Sequence, residues 1–176
     1  MKKNVLSVAF ATVTALSASS VFAADGTVNF SGEIIDQACT VDIGTNNTLT
    51  VNLGKVAKSS FAAVGDDASV TKFSMKLKAC PESITSAKVK FDGPNDLTDS
   101  SLLALTTETG VATGVAIALM TADKTDLGLN SVNAYSYALK PTVENTLDFY
   151  AAYRSTAATV VAGKANSTST FTINYN

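Results

Sequence analysis

The stretch Phe73-Ser74-Met75-Lys76-Leu77-Lys78-Ala79 alternates apolar and polar side chains without a break. A period of two puts one face of a strand in a core and leaves the other in water, so this segment reads as a half-buried strand. Outward from it the same period recurs. Val28, Phe30 and Ile34 alternate with Asn29, Ser31 and Glu33, and Val89 and Phe91 lie between Lys88 and Lys90. Val115, Ile117 and Leu119, then Leu147, Phe149, Ala151 and Tyr153, then Phe171, Ile173 and Tyr175 keep the pattern. Thr40 to Ile43, Leu49 to Leu53 and Ala134 to Leu139 are shorter candidates. Turn formers separate these segments at Gly44 to Asn47, Gly65-Asp66-Asp67, Asp92-Gly93-Pro94-Asn95-Asp96 and Ala122 to Lys124. No stretch carries a helical stripe, and Leu102 to Thr107 is the least defined. The expected fold class is all-β, an antiparallel sandwich of about seven short strands.

With 176 residues the chain suits one domain with one core. A hydrophobic content of 46% against 16% charged residues excludes a mostly disordered chain. The net charge of −2 offers no basic surface for a phosphate backbone, which argues against nucleic acid as a partner. There is no His, and with it go the commonest general base, the commonest metal ligand and every Ser-His-Asp or Cys-His pair. The best remaining catalytic motif is Ser69-Val70-Thr71-Lys72, an S-x-x-K pattern. That motif needs a helix, whereas here it leads into the 73–79 alternation without a companion S-D-N or K-T-G. No catalytic residue is assigned. Asp92, Asn95 and Asp96 could approach a cation but are better explained as a turn, so no metal or cofactor is assigned. Two glycosylation sequons, Asn46-Asn47-Thr48 and Asn166-Ser167-Thr168, fall in Asn- and Thr-rich turns, and Gly110 and Gly114 form a GxxxG outside any membrane-length apolar run.

The N-terminus carries Lys2 and Lys3, an apolar and small-residue run from Val5 to Ala18, and Val21-Phe22-Ala23. This order is that of a secretory signal over residues 1–23, with Val21 and Ala23 as the small side chains before the cut and Ala24 as the mature start. The run is too short to span a bilayer. Losing Lys2 and Lys3 leaves 11 basic and 15 acidic side chains, a net of −4. Cys39 and Cys80 both lie in the exported part, 41 positions apart, which is neither a CxxC pair nor a metal knuckle. A structural disulfide is the natural reading, and a pair of buried free thiols is the alternative.

Both ends of the mature chain are unusual. Phe171-Thr172-Ile173-Asn174-Tyr175-Asn176 is a strand where a frayed tail would be polar. The alternation from Gly26 to Ile34 reaches Cys39 with no hairpin turn, so it has nothing local to pair with. Burying Val28, Phe30 and Ile34 is worth about 1.5 to 3 kcal/mol each. Either this strand completes its own sandwich or it completes another molecule's.

These segments resemble the subunits of chaperone-usher pili, in particular shaft pilins similar to the type 1 pilus major subunit. The resemblance rests on Gly26 to Ile35 followed by Cys39-Thr40-Val41-Asp42, on Val51-Asn52-Leu53-Gly54-Lys55-Val56, and on Phe73 to Cys80. It also rests on Tyr175 at the penultimate position with Gly163 fourteenth counting back from Asn176. It implies an incomplete immunoglobulin-like sandwich over residues 37–176, with an N-terminal donor-strand extension over residues 24–36. In such subunits the missing strand is supplied first by a periplasmic chaperone and then, at an outer-membrane usher, by the extension of the next subunit. Pilins are themselves a known example of this mode of recognition. Carried onto this chain, Val28, Phe30, Gly32 and Ile34 are the donor residues and Cys39 and Cys80 the staple. Gly163, Phe171, Ile173, Tyr175 and Asn176 belong to the strand that meets the chaperone and lines the groove. The implied function is a non-enzymatic structural subunit of a surface fimbria that supports cell adhesion. Its implied partners are other copies of itself or related pilins, the chaperone and the usher, and its implied route is export through the periplasm to the cell surface. Two alternatives are a minor adaptor pilin and a self-complete secreted sandwich that binds glycan or protein, with residues 26 to 35 tucked into its own sheet.

Overall fold

A computed structural model describes residues 25–32, 34 and 38–176. The expected signal over residues 1–23 lies outside the described residues. The chain divides into two units at Ile34/Ile35. In the first, residues 25–32 form no strand, and Val28, Phe30 and Ile34 are 74, 94 and 100% exposed. An alternating segment becomes a strand only when a neighbour accepts its backbone hydrogen bonds, and residues 28–32 and 34 take part in no ladder among the described residues.

Among the described residues the second unit contains seven strands: β1 (Thr40–Asp42), β2 (Asp67–Lys78), β3 (Ser86–Asp92), β4 (Val115–Met120), β5 (Tyr137–Ala138), β6 (Asn145–Ser155) and β7 (Thr170–Tyr175). The only helical pieces among the described residues are single 3-10 turns at Thr45–Asn47 and Lys58–Ser60. All ladders are antiparallel, one sheet in the order β1-β2-β6-β4 and the other β5-β3-β7. Opposed pairs such as Phe73 with Phe149, Met75 with Leu147 and Val89 with Ile173 put the inward positions of neighbouring strands in step. That register is what alternation dictates, because a slip of one residue would turn every apolar side chain outward.

Phe149 is fully buried at the centre of the core, stacked on Phe73 at 5.5 Å and edge-on to Phe91 at 5.3 Å. Phe91 in turn meets Phe171 at 6.3 Å, so the aromatic core reaches from the first sheet to the last strand. β4 is buried on both faces: Ile117 and Leu119 enter the main core, while Ala116, Ala118 and Met120 pack with Leu102 and Ala152. Leu103 and Ile117 exchange backbone bonds of 2.9 Å, and Leu127 N donates to Leu119 O at 2.8 Å, which covers the outer edge of β4.

Two expected strands differ. Leu49 to Leu53 carries no ladder, and Ala134 to Leu139 is strand only at Tyr137 and Ala138. In the latter, Asn133 replaces ladder bonds with side-chain bonds, its Nδ2 donating to Val89 O at 2.6 Å and its Oδ1 accepting from Tyr135 N at 2.8 Å.

Ion pairs lace the outer surface. Arg154, the only arginine in the chain, forks onto Asp67 (2.6 and 2.8 Å) and Asp126 (2.5 and 2.9 Å), tying β6 to the start of β2 and to the loop after β4. Hydrogen bonds from lysines hold three carboxyls below the usual range: Lys78 acts on Asp42, Lys76 on Glu144 and Lys164 on Glu108. Groups depressed in the folded state contribute stability above their unfolded values near about 4 and lose it as pH falls through the lower folded values. Thermal melts followed by circular dichroism should therefore give a flat midpoint from pH 7 to 5 and a falling one towards pH 3. A midpoint at pH 3 equal to that at pH 7 would remove these pairs from the account of stability.

Candidate functional site

Along one side of the sandwich the chain leaves a groove of about 1260 Å³. One wall is residues 47–54 after β1, and the other is residues 165–170 leading into Phe171 of β7. Its floor is the core itself, with Phe73, Met75, Phe91, Leu103, Ile117 and Tyr153 lining it between the walls. Tyr153 Oη donates to Ala165 O at 3.0 Å, and Ser167 Oγ to Ala104 O at 2.5 Å, which fix the second wall. A smaller cavity of about 410 Å³ shares Gly54, Tyr153, Ala165 and Asn166 with the groove and adds Val56, Phe61 and Val115.

The open edge of β7 follows from its pairing. Ser86 and Asn176 exchange both backbone bonds at 2.9 Å, so antiparallel alternation makes Asn174, Thr172 and Thr170 the residues bonded to β3. Phe171, Ile173 and Tyr175 then point their N–H and C=O groups away from β3. Among the described residues these groups have no partner. The same three side chains are half-buried against the core, and burial raises the Tyr175 hydroxyl above its ordinary value. Three residues therefore present both apolar side chains and unpaired backbone to one side, which is what an added strand needs.

Of the other residues singled out in the sequence, Cys39 and Cys80 form a disulfide, both buried. It joins the chain just before β1 to the chain just after β2. Asn176 O accepts bonds from Thr85 N and Ser86 N, which set the end of β7. Gly163 lies before β7, and a Cβ built on it would stand 2.5 Å from Ala112 N and from Gly110 O. Only glycine allows that crossing of two backbones. At Gly32, by contrast, a Cβ would meet nothing within 4 Å. The first unit's own conformation therefore does not require glycine there.

The S-x-x-K motif lies inside β2. Ser69 occupies an irregularity between Ala68 and Thr71 with φ of 57°, and its Oγ donates to Leu53 O, while Lys72 Nζ pairs with Asp148 at 2.8 Å. Asn95 and Asp96 serve their turn, Asp96 Oδ1 accepting from Thr98 N and Asp99 N at 2.9 and 3.1 Å. No group of three or more metal-ligating side chains occurs among the described residues. Residues 47–54 as a groove wall, and Ser69 behind it, were not legible as such. Their signal was the Leu49–Leu53 alternation without a partner.

The match to known proteins follows the same outline. The fimbrial protein family matches residues 28–176, and the chain belongs to that family. It is a structural fimbrial subunit, and the expected incomplete immunoglobulin-like sandwich is its fold. Over 179 residues it is 39% identical to the "Probable major fimbrial subunit LpfA" of Escherichia coli O157:H7, covering 99% of this chain and 97% of that relative. Long polar fimbria protein A of Salmonella typhimurium is 34% identical over 176 residues, with coverage of 99% and 97%. Among solved structures, an antigen and type I fimbria protein of Burkholderia pseudomallei is 32% identical, with a TM-score of 0.61 over 80% of this chain and 91% of that one. The P pilus rod subunit PapA is similar in fold alone, at 22% identity and a TM-score of 0.63 over 80% of this chain and 100% of that one.

Proposed function

We propose that this chain builds a fimbrial shaft by strand donation, the extension of one copy entering the groove of the next. The observation that carries this is the β7 edge, where Phe171, Ile173 and Tyr175 offer half-buried side chains and unpaired backbone and Phe171 lines the groove. The chain also holds a fitting donor: Val28, Phe30, Gly32 and Ile34 fall on one face of an extended segment, and the three apolar ones are exposed. Residues 1–23 direct export, residues 24–36 are the donor and residues 37–176 the acceptor body. Before assembly the groove needs a temporary strand. That is the role of a periplasmic chaperone at Phe171, Ile173 and Tyr175, with an outer-membrane usher exchanging it and Gly163 and Asn176 setting the approach to β7 and its end. The role is non-enzymatic, and the fimbria supports adhesion from the cell surface. The 39% identity with a relative named as a major subunit favours shaft over adaptor.

Fimbriae sheared from producing cells and run in SDS with and without boiling test the proposal. Very large species or a ladder that collapses to one band only on boiling is the expected result. A monomer band in both lanes would sink the shaft reading and favour a self-complete sandwich or a chain-terminating subunit.

A further inference from the structure

The wall formed by residues 49–54 has an unusual hydrogen-bond inventory. Among the described residues its backbone makes two bonds only: Gly54 N donates to the Oδ1 of its neighbour Asn52 at 2.8 Å, and Leu53 O accepts from the Ser69 hydroxyl. The first is local to the wall, so the second is the one hydrogen bond that ties the wall to the body. Ser69 is placed for it by the backbone irregularity in β2. The left-handed φ of 57° turns its side chain towards Leu53, and Thr71 Oγ1 donates to Ser69 O at 3.0 Å to hold the irregular turn. The anchored residue matters as well. Leu53 is 7% exposed and part of the main core, and both Leu53 and Gly54 line the groove.

From this geometry we propose that Ser69 is a positioning residue for strand uptake: it latches the 49–54 wall in place while the groove is empty. The inference rests on the strand-donation reading. An arriving strand that bonds to the wall takes over part of the latch's task, so the latch counts most before filling and least after. Preorganising a binding surface raises its rate of capture by removing the cost of ordering it at the moment of binding.

The test uses the full mature chain with its groove open, mixed with a fluorescent synthetic peptide of residues 24–36. Ser69→Gly removes the hydroxyl while keeping the backbone angle. Ser69→Asn keeps a donor and tolerates the left-handed angle. Ser69→Gly should slow peptide uptake about tenfold and speed tryptic cleavage at Lys55, next to the wall, in the empty form by a similar factor. The peptide-filled form should melt within a few degrees of the unaltered one, and Ser69→Asn should restore most of the rate. Unchanged uptake by Ser69→Gly overturns the latch, as does an equal loss of stability in empty and filled forms, which marks a merely structural residue. Should Ser69→Gly not fold, the same uptake and cleavage comparison on Ser69→Ala and Ser69→Asn decides the matter. Failure of the unaltered chain to take up any peptide overturns the strand-donation reading, and the latch with it, in a way the variant comparison does not mimic.

Discussion

Cells exporting the Phe30→Asp chain should yield no SDS-resistant ladder, while the protein body melts as before. Phe30 is 94% exposed, so its replacement takes no buried side chain out of the fold. In the donor position the same change replaces a buried aromatic worth about 1.5 to 3 kcal/mol with a carboxylate that has no partner, at a further cost of several kcal/mol. Each 1.4 kcal/mol is a factor of about ten, so the filled state should be disfavoured by more than about a thousandfold. Phe30→Leu keeps an apolar side chain and should still assemble. The measurement is the band pattern of sheared material without boiling, alongside a melt of the purified subunit. A normal ladder from Phe30→Asp would remove residues 28–34 from the interface.

The second large effect concerns the Cys39–Cys80 staple. β1 has three residues and pairs with β2 only through Thr40, Val41 and Asp42 against Lys78, Leu77 and Lys76. A ladder so short holds the first groove wall weakly, and the disulfide adds a covalent tie spanning 41 positions. Closing a loop of that size restricts the unfolded chain by roughly 4 kcal/mol, within the usual range of about 2 to 5. The Cys39→Ser, Cys80→Ser pair should therefore lower the thermal midpoint by roughly 8–16 °C, and reductant should do the same to the unaltered protein. Because the loss falls beside the groove, peptide uptake should fail before the far side of the sandwich unfolds. A drop of only a degree or two would mean that the core alone orders this wall.

Most of the sandwich was legible because alternation is a local signal. Phe73 to Leu77, Leu147 to Tyr153 and Phe171 to Tyr175 each announce a strand, its inward face and its register at once. Leu49 to Leu53 alternates just as well and forms no ladder, since a strand also needs a neighbour and the place beside this one is open. Residues 28–32 likewise alternate and form no ladder among the described residues. Alternation therefore reported which segments can be strands, and the difference between that set and the observed ladders marks the groove. Other features had no local trace. The Ser69 to Leu53 bond joins residues 16 apart through a backbone irregularity. The cover over β4 depends on Leu102 and Leu103 returning from a loop whose apolar run had no clear period. Gly163 was noticed for its spacing, but the backbone it crosses, residues 110–112, is distant in sequence.

Two of the four edge strands of the sandwich, β4 and β7, have different fates. Leu103 and Leu127 close the edge of β4, whereas β7 stays open. On the proposed strand-donation reading, one acceptor groove and one donor segment per copy give each subunit a valence of two with unlike ends. Such units can neither branch nor pair back to back. They add head to tail, and the contact generates a polar helical filament whenever its rotation does not close a ring. On that reading chain length is set by supply and capping, and a copy without residues 24–36 should receive a neighbour but not pass the chain on.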